Sequence, residues 1–121
     1  MKMNDETGVL ELTPTEIELR SLVDSYVEDI KSQELTAEAA GEYSVRYTIN
    51  GDGSYYSVFL LLAGGGPTVY VDTQELKITG VWAEDEYSVN FYPPHLDYLD
   101  EYWEEQYKSL QKLIIKIYQS A

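Results

Sequence analysis

EYSVRYTINGDGSYYSVFLLLA, residues 42–63, is where the period of the chain becomes two. Tyr43, Val45, Tyr47 and Ile49 alternate with Ser44, Arg46 and Thr48, the pattern of a strand with one face buried. Asn50-Gly51-Asp52-Gly53 tolerate positive φ, so a hairpin turn is expected there. Residues 54–63 return as the most apolar segment and predict a central strand. Gly64-Gly65-Gly66-Pro67 breaks it. Three further short strands are expected at 68–72, 76–82 and 87–91, with turns at Thr73-Gln74-Glu75 and Ala83-Glu84-Asp85-Glu86.

Helices are expected on both sides of these strands. Thr13 suits an N-cap, Pro14 the first helical position, and Glu16 completes a capping box. Leu19, Leu22, Val23, Tyr26, Val27 and Ile30 keep helical period to about Lys31, with Glu16, Asp24, Glu28 and Asp29 mostly outward. A further turn is expected over residues 37–40, stopped by Gly41. Pro93 and Pro94 end the strands and admit a long C-terminal helix. Residues 1–12 read as a loose polar leader in which Val9, Leu10 and Leu12 could dock on the body. The order is helix, five strands in a meander, helix. It predicts one α+β domain over 1–121, with an antiparallel sheet and both helices packed on one face of it.

The C-terminal helix carries two stripes. Leu96, Leu99, Trp103, Leu110, Ile114 and Ile117 recur at spacings of three and four and predict a buried side, with Trp103 against the sheet. Asp97, Asp100, Glu101, Glu104 and Glu105 form a carboxylate ridge on the other side, bordered by Tyr98, Tyr102 and Tyr107. Asp and Glu total 22 against 8 Lys and Arg, a formal net charge of −14. Such a chain is repelled by nucleic acid and by an anionic membrane, and attracted by a basic protein surface. Matching to the helix dipole explains acids early in the helix and Lys108, Lys112 and Lys116 late in it. It does not explain like charges crowded at i,i+3 and i,i+4, which is mildly destabilising. Solubility is the competing reason for the acid.

Other chemistry finds little footing. The chain has no Cys, which removes disulfides and thiolate chemistry. Gly64-Gly65-Gly66 lacks the Lys and hydroxyl of a phosphate loop. Residues 50–54 lack the spaced acids of a calcium loop. His95, the single histidine, has no second His or Cys with which to bind a transition metal. No nucleophile motif surrounds any Ser. No catalytic residue, metal ligand or cofactor is expected. The longest apolar run is too short to span a bilayer.

Carboxylates four apart on a helix stand ~6 Å apart, comparable with successive phosphates of a nucleic acid strand. Flat tyrosine rings beside them could receive guanidinium groups. LLLAGGGPTVYVDT (60–73), ITGVWAEDEYSVNFY (78–92) and LDYLDEYWEEQY (96–107) resemble a pattern in small acidic phage and plasmid proteins that inhibit bacterial defence nucleases by imitating DNA. These include anti-CRISPR and anti-restriction proteins. The resemblance spans roughly residues 60–107. It implies a non-enzymatic inhibitor, acting in the bacterial cytoplasm, whose partner is a basic nucleic-acid-binding protein. That partner would be a CRISPR effector or another nuclease, and neither nucleic acid nor membrane would be bound directly. Asp97, Asp100, Glu101, Glu104 and Glu105 would supply charge and Tyr98 and Tyr102 aromatic contacts. Glu84, Asp85 and Glu86 would extend the footprint. An immunity protein against a toxin nuclease, or an acidic accessory domain, are the alternatives.

Overall fold

The structure, a computed structural model, describes residues 2–3 and 10–120, with side chains from 11 to 117. Helix α1 (Pro14–Ser32) starts where the capping signals predict. The Thr13 hydroxyl accepts from the Glu16 amide at 3.2 Å, and the Glu16 carboxylate accepts from the Thr13 amide at 3.4 Å. Glu16, turned back on Thr13 by this reciprocal cap, is buried, not outward as its place in the sequence suggests. The helix stops at Gln33, which takes left-handed φ of 61°. Helix α2 (Ala37–Ala40) is a single turn capped by Thr36 and ended by Gly41.

Strands β3 (Ser44–Ile49), β4 (Tyr55–Ala63), β5 (Thr68–Asp72), β6 (Lys77–Trp82) and β7 (Asp85–Asn90) pair antiparallel in the order β3-β4-β5-β6-β7. The expected α+β meander is therefore the fold. One strand boundary differs by more than a residue. Asp85 and Glu86 belong to β7, because Trp82 pairs with Asp85 across a two-residue loop in which Ala83 has φ of 55°. Two-residue connections match strand twist, so the ladder runs through to the loop. The leader also differs from expectation. Lys2–Met3 (β1) and Leu10–Glu11 (β2) form a short antiparallel ribbon held by backbone hydrogen bonds, which hydropathy does not signal. Val9 lies outside the described residues.

Cross-strand partners share a face of a sheet. The register Val45–Leu60–Val71–Ile78–Val89 marks one face, with Val69, Gly80 and Tyr87 beside it. Helix α1 and the long helix α3 (Pro93–Ser120) both cover this face. Gly80 lets α1 come close: a Cβ there would stand 2.5 Å from Val23 Cγ2 and 2.9 Å from Leu19 Cδ1. Leu96 and Leu99 of α3 are fully buried in the same core. On the opposite face Phe59, Leu61, Tyr70 and Val81 are half-buried, and the smaller Ser57 and Thr79 are buried between their neighbours.

Two expectations for α3 are corrected. Trp103 does not lie deep against the sheet. It is half-buried against α2, and its Nε1–H donates to the Ala37 carbonyl at 3.1 Å. Leu110, Ile114 and Ile117 are 44%, 44% and 59% exposed, not buried. The body ends at the β3–β4 hairpin, where the Gly53 carbonyl accepts from Tyr107 Oη at 2.6 Å and Gln111 Nε2 at 2.7 Å. Beyond Gln111 the side chains of the helix are exposed as far as Ile117.

Candidate functional site

The acidic ridge of α3 keeps its shape in three dimensions but divides by environment. Leu96, Leu99 and Trp103 are drawn toward the body, so the positions opposite them turn to solvent. Asp97, Glu101 and Glu105 are exposed and follow one another at i,i+4 on the outermost line of the helix. Glu104 is half-buried beside them. Lys108 bridges Glu104 at 3.3 Å and Glu105 at 3.6 Å, and Glu104 holds its ammonium above the usual lysine range. Among the described residues, no salt bridge reaches Asp97 or Glu101. The first turn of α3 holds no acid and the last turn no base, so charge matching to the helix dipole does not account for the ridge.

Asp100 plays a different part. It turns inward from the line and accepts from Tyr55 Oη at 2.5 Å, the short geometry of a hydroxyl bound to a carboxylate. Burial raises the Tyr55 phenol well above the usual tyrosine range, and Asp100 raises it further. Tyr55 also belongs to a ring cluster with Tyr47 and Tyr107, whose centroids lie 5.1–6.3 Å apart. Asp100 thus ties α3 to β4.

The bordering tyrosines are partly committed to the fold as well. Tyr98 is half-buried, donates to the Leu35 carbonyl at 2.7 Å, and is pushed up to about 12, first by burial and then by Asp29. Tyr102 is half-buried with its ring edge-on to Trp103 at 4.9 Å. Sequence spacing placed these rings near the polar border correctly. It could not show that their hydroxyls or faces would be used internally.

Glu84, Asp85 and Glu86 are not brought to α3. They border a surface cleft of about 220 Å³ formed with Glu16, Arg20 and Tyr87, at the N-terminal end of α1. There the Arg20 guanidinium lies 4.8 Å from the Tyr87 ring centre, and Tyr87 donates to Asp24 at 3.0 Å. The acids singled out by the sequence therefore fall in two places, one on α3 and one beside α1.

The sheet face turned away from the helices is not singled out by the sequence. It carries Phe59 stacked on Tyr70 at 4.8 Å with Arg46 5.9 Å from the Phe59 ring. The alternation in 43–49 and 68–72 contained that information, but not which set of alternating residues the helices would cover.

His95 is half-buried near the Phe91 and Tyr92 rings, and its Nδ1 is shielded without a hydrogen-bond partner. No group of three or more His, Asp or Glu among the described residues is arranged to hold a metal ion. No described helix is long and apolar enough to cross a membrane. Comparison with known proteins gives no match to any family model, curated protein or solved structure.

Proposed function

We propose that the chain is a non-enzymatic inhibitor that occupies the nucleic-acid-binding site of a basic protein by imitating the charge of DNA. The partner is a CRISPR effector or another bacterial defence nuclease. The observation that carries this reading is the line Asp97–Glu101–Glu105. Its carboxylates are exposed on a rigid helix at a repeat of ~6 Å, and the half of the helix that holds them has no Lys or Arg. A helix fixed to the sheet at Leu96, Leu99 and Asp100 and to α2 at Trp103 presents this charge without having to order itself on binding, which favours affinity. The cleft beside α1 is a second acidic contact on a different side of the molecule, suited to a partner that wraps around it.

The test is displacement of labelled DNA from purified defence nucleases, a guide-loaded CRISPR effector and a restriction enzyme among them. The wild-type chain is expected to compete with DNA for at least one. A variant with Asp97→Asn, Glu101→Gln, Glu104→Gln and Glu105→Gln keeps its shape and leaves the Asp100–Tyr55 bond intact. It should lose at least tenfold in competition, since removing one member of a buried interfacial charge pair can cost ~2–5 kcal/mol. Equal competition by the folded variant would remove the ridge from the interface. Failure to displace DNA from any of these nucleases would leave the acid as a solubilising surface.

A further inference from the structure

Asn50-Gly51 opens the loop between β3 and β4. The Asn50 carbonyl accepts from the Gly53 amide at 2.9 Å, and the Asn50 amide donates to the Ser54 carbonyl at 2.8 Å. Gly53 has φ of 86°. This is a hairpin loop built as a turn followed by a left-handed glycine. Asn50 and Gly51 are both exposed. A Cβ at Gly51 would meet nothing within 4 Å, so nothing packs against that residue. Among the described residues no hydrogen bond engages the Gly51 N–H. A free backbone nitrogen, an unobstructed glycine and access to water together favour attack of that nitrogen on the asparagine side chain before it.

We propose that Asn50 is a site of spontaneous covalent modification in the folded protein, and that the modification loosens the hold of the hairpin on α3. The Gly51 amide nitrogen gives its proton to hydroxide and attacks Asn50 Cγ. The N–Cγ bond forms, the Cγ–Nδ2 bond breaks, and ammonia leaves with a proton from water. Water then opens the cyclic imide at either carbonyl. One opening leaves Asp at position 50. The other leaves an isoaspartyl link, in which the backbone runs through the former side chain. The balance is one water taken up and one ammonia released, with no oxidant or cofactor. Asn90 supplies the internal contrast. It is exposed too, but Phe91 follows it, is buried, and donates its N–H to the Leu76 carbonyl at 2.7 Å. The same attack there would break that bond and move a buried ring. Asn4, the third asparagine of the chain, lies outside the described residues.

The consequence for the fold follows from the contacts of the loop. Asn50 Nδ2 donates to Ser54 Oγ at 2.9 Å and to the Tyr55 carbonyl at 3.4 Å. The Ser54 hydroxyl donates onward to Asp52 at 2.6 Å. A carboxylate in place of the amide has no proton to donate to either partner, and it competes with Asp52 for the one Ser54 hydroxyl. The isoaspartyl link goes further. It adds a carbon to the backbone between residues 50 and 51 and displaces the carbonyl that holds the Gly53 amide. Gly53 in turn carries the carbonyl that accepts from Tyr107 Oη and Gln111 Nε2 of α3. The change therefore acts where the hairpin tip holds α3, and leaves the packing of Leu96, Leu99 and Trp103 untouched. The inference stands apart from the proposed function, and either can fail without the other.

The test keeps the full chain folded at mildly alkaline pH and body temperature and samples it over time. Peptide mass spectrometry reads deamidation at each asparagine, and an isoaspartyl methyltransferase reads the isoaspartyl product. Position 50 is expected to react at least tenfold faster than position 90, and faster as pH rises, with isoaspartate the major product. Gly51→Ala should slow the reaction at least tenfold. Its methyl group has room, so the variant should melt with the wild type. In the isoaspartyl chain, hydrogen exchange at residues 107–111 should be at least tenfold faster than in the fresh chain, with residues 96–103 unchanged. Asn50→Asp, which brings the charge without the longer backbone, should show a smaller increase. Asn50 reacting no faster than Asn90 in the folded chain would overturn the proposal. So would reaction only after unfolding in urea, or a rate unmoved by Gly51→Ala. Unchanged exchange at 107–111 in the modified chain would overturn the link to α3.

Discussion

Gly41 lies directly under the indole of Trp103, where a Cβ at position 41 would overlap ring atoms Cζ2 and Cη2 and stand 2.9 Å from Val45 Cγ2. The same indole donates to Ala37 at 3.1 Å. One glycine and one tryptophan thus couple the single turn of α2 to the long α3. Gly41→Ala should cost about 1–3 kcal/mol through overpacking. Trp103→Ala should cost about 2–4 kcal/mol, toward or below the low end for large aromatics because the ring is only half-buried. The double variant should lose clearly less than the sum, because the clash vanishes with the ring. Urea denaturation of the four proteins measures this. Additivity within about 0.5 kcal/mol would show that the two residues do not share a contact.

The carboxylates of α3 should separate by their effect on folding. Asp100→Asn weakens a partly buried hydrogen bond to Tyr55 and should destabilise by about 1–3 kcal/mol. Asp97→Asn and Glu101→Gln alter exposed side chains with no hydrogen bond or salt bridge among the described residues and should stay within about 0.5 kcal/mol of wild type. Thermal unfolding of the single variants checks this ordering. An Asp100→Asn protein as stable as the wild type would deny the bond to Tyr55 any share in holding α3 to β4.

Alkaline pH should unfold the protein through its tyrosines. Burial raises Tyr26, Tyr47, Tyr55, Tyr87 and Tyr98 above their ordinary value near 10, Tyr98 to about 12. Between the unfolded and the folded values the native chain holds protons that the unfolded chain has released. Stability from these groups is therefore complete below pH 10 and falls as pH rises beyond it. Tyr98→Phe, which cannot ionise, should flatten the slope between pH 10 and 12 in denaturation curves taken at stepped pH. An unchanged slope would mean that Tyr98 ionises alike in both states.

Salt should act on stability and on partner association in opposite senses. At −14 the folded chain repels itself more than the expanded chain does, so added NaCl should raise the melting temperature. The same screening should slow association with a basic cleft, because steering by charge weakens as the Debye length falls below ~8 Å. Neutralising Asp97, Glu101, Glu104 and Glu105 should reduce both dependences. Association kinetics insensitive to salt in the wild type would count directly against charge mimicry.

The sequence by itself determined the order of elements from α1 onward, the capping of α1 by Thr13 and Glu16, the α2 turn before Gly41, and the meander of five strands. Each rests on a local cause: a reciprocal cap, a left-handed or Gly stop, a period of two, a turn residue able to take positive φ. It also determined that α3 is amphipathic with a line of acids. Only the tertiary structure decided how far the apolar side of α3 is used. Leu99 and Leu110 look equivalent by periodicity, yet one is buried and the other exposed, because the sheet beneath ends at Gly53. The same holds within the ridge. Asp97 and Asp100 are alike in sequence, but Tyr55 of a strand 45 residues earlier lies under one and not under the other. Glu84–Asp85–Glu86 falls beside α1 rather than α3 for a similar reason: α1 covers β6 and β7, while α3 reaches the sheet chiefly at β4. Periodicity reports which residues share a side of an element. What stands opposite that side, and for how many turns, depends on contacts between residues far apart in the chain.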